Sequence, residues 1–199
     1  MINLKHYINE WKANTSNVES IDIKKTFPKK LNELIKSFNI LFDLYGKGTE
    51  ENPVDLNSID VSGIKSFYSN HPSSYFNYPF VHVKFKYIDV SSWNVSNSES
   101  LKCLFAQSIL MGIYGLENWD VSNIKEFGGM FSLCPQLKYV GNLSQWNVSN
   151  GKNFSMMFYN CPLLKDVGNL NDWKFKRDLK KDSFANMFTN SNISLPNWY

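Results

Sequence analysis

The stretch Trp119–Val148, WDVSNIKEFGGMFSLCPQLKYVGNLSQWNV, decides how the chain is read, because it opens and closes on one phrase. Trp93-Asn94-Val95-Ser96-Asn97, Trp119-Asp120-Val121-Ser122-Asn123 and Trp146-Asn147-Val148-Ser149-Asn150 are three near-identical openings. Trp173-Lys174-Phe175 is a degenerate fourth, and Trp198 begins a fifth. The tryptophans at 93, 119, 146, 173 and 198 fall 26, 27, 27 and 25 residues apart, and such a period predicts a solenoid of stacked units. Upstream, Ile59-Asp60-Val61-Ser62-Gly63 reads as an irregular first copy with isoleucine in the tryptophan slot.

Around each phrase the apolar slots line up. Before each tryptophan come Phe85, Ile88, Val90; then Leu110, Ile113, Leu116; Leu137, Val140, Leu143; and Leu164, Val167, Leu170. The L-x-x-[IV] part of each triplet fits a short strand. After each phrase stands a second block: Leu101–Phe105, Phe127–Phe131, Phe154–Phe158 and Phe184–Phe188. Apolar residues at its first, fourth and fifth places have helical spacing, so a short helical segment is expected there. One strand and one helical segment per unit is the leucine-rich-repeat plan.

The string W-[ND]-V-S-N-x5–7-[ML]-F-x2-C-x2-L resembles the BspA-type leucine-rich repeats, in particular the mycoplasma and Bacteroidetes variety. The resemblance spans Ile59 to Tyr199 and is clearest over residues 85–175. It implies an α/β, right-handed leucine-rich-repeat-like solenoid over residues 49–199, with about four and a half repeats. It also implies a non-enzymatic role in adhesion or protein binding, with no catalytic residues to carry over. The last full repeat departs from the pattern: Phe175-Lys176-Arg177 replaces V-S-N and an insertion follows at Asp178–Asp182, as in a terminal unit packed on one side only.

Residues 1–48 do not repeat. Leu4, Tyr7, Ile8 and Trp11 have helical spacing, and Pro28 opens a second amphipathic stretch carrying Leu31, Leu34, Ile35, Phe38, Leu41, Phe42 and Tyr45. A helical N-terminal cap over the first unit's apolar edge is expected, with a helical hook for a partner as the alternative. His71–Phe80, with two prolines and four aromatics, reads as an ordered loop.

Composition narrows the function. A net charge of +3 and a pI near 8.6 make nucleic acid an unfavoured partner in the absence of a local basic patch. No apolar run approaches the roughly 18 residues of a membrane helix. Met1–Glu10 lacks the pattern of a secretory signal, so the expected location is the cytoplasm or a phage particle, with the cell surface as alternative. Cys103, Cys134 and Cys161 include no CxxC pair, which argues against a disulfide framework or zinc site; the last two share a slot that suits a small core residue. His6, His71 and His82 lie in separate segments with no Ser/His/Asp or Cys/His pattern, and Gly128-Gly129 lacks the Lys-Ser/Thr of a phosphate loop. No enzymatic activity, metal or cofactor is expected.

The polar letters of the phrase are assigned to structure. Ser and Asn of V-S-N are expected to cap the following block or close its turn, and the tryptophan column is expected in the core. The candidate binding residues lie between the strands' inward slots. Stacking aligns Lys86, Met111, Lys138 and Lys165 in one column and Tyr87, Gly112, Tyr139 and Asp166 in the next. Lysines beside tyrosines suit a protein partner, or a carbohydrate or acidic ligand; the alternative is a merely solvated face. Lys174, Lys176, Arg177, Lys180 and Lys181 form a second basic cluster, read as a solvated edge, with a nucleic-acid-associated accessory role as the alternative. The function expected is that of a bacterial or phage-borne interaction module binding through the strand face, with a surface adhesin as the second reading.

Overall fold

The computed structural model describes residues 46–68, 79–81, 83–176 and 179–199. All but the last three residues of the expected cap (1–48), most of the 71–80 loop and all three histidines lie outside the described residues.

Three short strands form one parallel sheet in the order β1-β2-β3: β1 is Val54–Asp55, β2 is Tyr87–Asp89 and β3 is Gly112–Tyr114. The register pairs Val54 with Ile88 and Ile88 with Ile113, so one face of the sheet carries a buried aliphatic column. A single parallel bridge from Gly112 to Tyr139 carries the ladder one repeat further. Parallel neighbours need a long crossover, and here each crossover is one sequence repeat. The strand expected at Leu164–Val167 is not formed; Asp166 instead accepts the Gly168 amide in an Asx turn.

The blocks expected to be helical are chains of tight turns. Their third residues, Cys103, Gly129, Met156 and Asn186, all have φ between 56° and 63°. The residues two places past their ends, Gln107, Leu133, Asn160 and Asn190, have φ between 55° and 60°. A left-handed residue every fourth place cannot lie in an α-helix, whereas a type II turn requires one. Alternate amides then point in different directions. Leu104 and Ala106 donate to carbonyls three residues back, while Cys103, Phe105 and Gln107 donate to Gly128, Met130 and Ser132 of the next repeat. The pattern recurs from Gly129, Phe131 and Leu133 to Ser155, Met157 and Tyr159, and from Met156, Phe158 and Asn160 to Ala185, Met187 and Thr189. Each repeat thereby satisfies backbone groups of its neighbour that burial would otherwise leave unpaired.

Between sheet and turns runs another ladder of parallel bridges, Ser66–Ser100–Glu126–Asn153. The core fills the space enclosed. Phe105, Phe131, Phe158 and Phe188 stack at 5.5–5.7 Å between ring centroids, and the phrase tryptophans form a second file. Trp93, Trp119, Trp146 and Trp173 are all buried. Each indole Nε1 donates at 2.8–2.9 Å to a buried carbonyl of the preceding repeat: Leu56, Val90, Leu116 and Leu143 respectively. Every acceptor lies three residues before its own repeat's tryptophan slot, and Leu56 stands in that relation to Ile59. The first copy's isoleucine therefore occupies the slot that the sequence assigns it.

The polar letters have a different job from helix capping. Asp60, Asn94, Asp120 and Asn147 each accept the amide of the serine two residues on, at 2.8–3.2 Å. Asn97, Asn123 and Asn150 reach across to the carbonyls of Ser62, Ser96 and Ser122 in the preceding repeat. Cys134 and Cys161 are buried free thiols, donating to Phe105 O and Phe131 O at 3.0 and 2.9 Å. Burial pushes the Cys161 thiol up to about 12, with Cys134 beside it acting in the same direction.

Candidate binding face

Alternation along β2 and β3 sends Ile88 and Ile113 into the core and Tyr87, Asp89, Gly112 and Tyr114 to the opposite side. Tyr87 pairs with Gly112, and Gly112 with Tyr139. Three of the four residues expected in the second column are thus neighbours. The column of Lys86, Met111 and Lys138 is also in place: Met111 N donates to Lys86 O at 2.6 Å and Lys138 N to Met111 O at 2.9 Å. Lys165 and Asp166 are exposed in the following repeat, but no bridge among the described residues joins them to Tyr139.

Gly112 matters for what it lacks. A Cβ there would fall 2.8 Å from Tyr87 Cδ1 and 3.6 Å from Tyr114 Cε2, so the Tyr87 ring leans across the bare backbone. On the far side Tyr114 and Tyr139 pair at 5.1 Å between centroids, tilted by 41°. Tyr87, Tyr114 and Tyr139 therefore form one aromatic patch about Gly112, with Lys86, Met111 and Lys138 along its edge. Tyr139 is 45% exposed and Tyr87 and Tyr114 are half-buried. Tyr114 Oη donates to Glu50 O at 3.4 Å. Partial burial raises the Tyr114 phenol's pKa, and Glu50, the two other phenols and Glu51 add to the effect.

Tyr114 is the member that sequence reasoning missed. The L-x-x-[IV] pattern closes on Ile113; carrying the alternation one residue further, to the end of β3, places Tyr114 on the face of Gly112. Four of the five residues of the C-terminal basic cluster are described. Lys176 Nζ turns back to Asn150 Oδ1 at 3.2 Å, Lys174, Lys180 and Lys181 are exposed, and Arg177 lies outside the described residues. No group of three metal-ligating side chains occurs among the described residues, and no helix there is long and apolar enough to cross a membrane.

A sequence period read out as residue-for-residue hydrogen bonding between successive copies defines a repeat protein. The chain belongs to the family described as DUF285, Mycoplasma protein of unknown function, whose profile matches residues 74–198. No curated protein and no solved structure matches it.

Proposed function

We propose that the chain is a non-enzymatic interaction module, a right-handed leucine-rich-repeat-like solenoid of the BspA type, that docks a protein partner across its strand face. The observation that carries this reading is the tyrosine patch about Gly112 with lysines and a methionine at its edge. Tyrosines offer large contact area with few rotors to freeze, and they are enriched where binding energy concentrates. Lysines at the edge add attraction for an acidic partner and speed its approach more than they add buried energy. The residues assigned to contact are Lys86, Tyr87, Met111, Tyr114, Lys138 and Tyr139, with Lys165 and Asp166 at the margin. A module of bacterial or phage origin acting in the cytoplasm or on a particle fits this face, and so does a surface adhesin, for which the exposed Tyr139 ring is a platform for a sugar ring.

The test is capture from native lysate on immobilised wild-type chain and on Tyr87→Ala with Tyr139→Ala, followed by titration of the retained partner. The double change is expected to weaken binding by more than about 2 kcal/mol while the melting temperature holds, because neither ring is in the core. Binding that survives the double change unaltered refutes the assignment.

A further inference from the structure

A second surface is built on a different ladder of the same repeats. Glu99 N donates to Lys65 O, Lys125 N to Glu99 O and Lys152 N to Lys125 O, at 2.9, 2.9 and 2.7 Å. These four residues occupy one slot, the fourth after the phrase valine or its equivalent: Val61, Val95, Val121 and Val148. Their side chains line a groove of about 400 Å3 that also takes in Lys176. The lining thus carries four lysines and one carboxylate, with Lys65 Nζ donating to Asn97 O at 3.0 Å and Lys176 Nζ to Asn150 Oδ1 at 3.2 Å. Lys125 Nζ bonds Glu99 Oε2 at 2.6 Å, and Glu99 is held below its ordinary pKa by Lys125 first, then by Lys65 and Lys152. All three column lysines thus act on one point.

The groove's wall is a row of amides. Asn97, Asn123 and Asn150 each spend one Nδ2 hydrogen on the preceding repeat, which fixes the side chain and leaves the other hydrogen. The column covers three repeat steps of about 4.8 Å each, with Glu99 breaking the lysine run at its second place. No aromatic side chain among the described residues lines it. Single-stranded nucleic acid takes much of its affinity from stacking bases on aromatic rings, and this surface offers none. Ammonium groups, amides and hydroxyls in a row instead match a chain of sugars bearing anionic substituents.

We propose that the groove lined by Lys65, Lys125, Lys152 and Lys176 binds a linear acidic polysaccharide lying along the stack of repeats, its sulfate or carboxylate groups on the lysines and its hydroxyls on the asparagine row. Glu99 sits where an anionic group would dock and competes for Lys125. It sets a limit on affinity and favours ligands whose charges are spaced to avoid it.

Calorimetric titration with a size-defined heparin fragment, with polygalacturonate and with polythymidylate tests this. Lys65→Gln with Lys152→Gln is compared with Lys84→Gln and Lys102→Gln, which removes the same charge outside both the groove and the strand face. The groove pair is expected to lose about tenfold or more in heparin affinity and to flatten its salt dependence, while the control pair stays within about twofold. Glu99→Gln is expected to bind more tightly than wild type, an outcome no loss of fold can produce. Polygalacturonate binding alongside heparin extends the ligand to carboxylates, and its failure narrows it to sulfates. Equal losses in the two lysine pairs, or polythymidylate bound as tightly as heparin, would overturn the proposal. The result is independent of the tyrosine patch, which these variants leave intact.

Discussion

Replacing Trp146 probes the internal file of the stack. Its indole is 3% exposed, lies 6.5 Å from Trp173 in a near-parallel stack and 6.0 Å from Phe127, and donates to Leu116 O at 2.8 Å. Trp146→Ala removes all of these contacts and leaves a cavity between two repeats. The expected loss is roughly 3–5 kcal/mol. Trp146→Phe keeps a ring in the file and strips the donor, so Leu116 O is orphaned in the core at a cost of about 1–3 kcal/mol. Trp198 makes the equivalent bond to Leu170 O, at 2.7 Å, but is only half-buried. Its truncation removes less apolar surface from shelter and should cost correspondingly less. Urea denaturation followed by far-ultraviolet circular dichroism gives the three values. In an array where each unit leans on its neighbours, Trp146→Ala should also lower the slope of the transition as adjoining repeats fray. A loss below about 1 kcal/mol for Trp146→Ala, or an equal loss at Trp198, would refute the reasoning.

Two further outcomes follow from the core and the turns. The Cys161 pKa in the folded chain lies near 12 against an ordinary 9.0, so its contribution to stability is complete below about 9 and is lost as pH climbs toward 12. Melting temperature in Cys161→Ala should therefore fall less steeply over that window than in wild type, and an unchanged slope would count against a buried thiol. Leu133 and Met156 are exposed residues held at φ 60° and 56° in slots that other repeats fill with Asn160 and Asn186. Leu133→Asn and Met156→Asn should each stabilise by up to about 1 kcal/mol, since asparagine tolerates that region better; clear destabilisation in thermal melts would contradict the turn assignment.

The period, the tryptophan core and the slot of the two thiols were legible because each is written as a repeated apolar letter. The turn blocks were not. Apolar residues at places one, four and five satisfy a helix and a chain of type II turns equally, since both return to the same side after three residues. The discriminating position is the third, and there the left-handed requirement is visible only at Gly129 and Asn186; Cys103 and Met156 conceal it. On the strand face the tyrosine–glycine column was readable from alternation, while Tyr114 fell one residue beyond the pattern used. The lysine groove was hidden for another reason. Its members stand 26 to 34 residues apart at 65, 99, 125 and 152, and Glu99 interrupts them, so no window of sequence shows a basic run.

The central claim is that alternate backbone amides of the turn blocks bond the next repeat, while those between them close tight turns within their own block. Scalar couplings transmitted through hydrogen bonds, measured by NMR on labelled protein, report donor and acceptor directly. Couplings are expected from the Phe105 amide to the Met130 carbonyl, from Phe131 to Met157 and from Phe158 to Met187. Couplings from those amides to carbonyls four residues earlier would make the blocks helical and contradict the account.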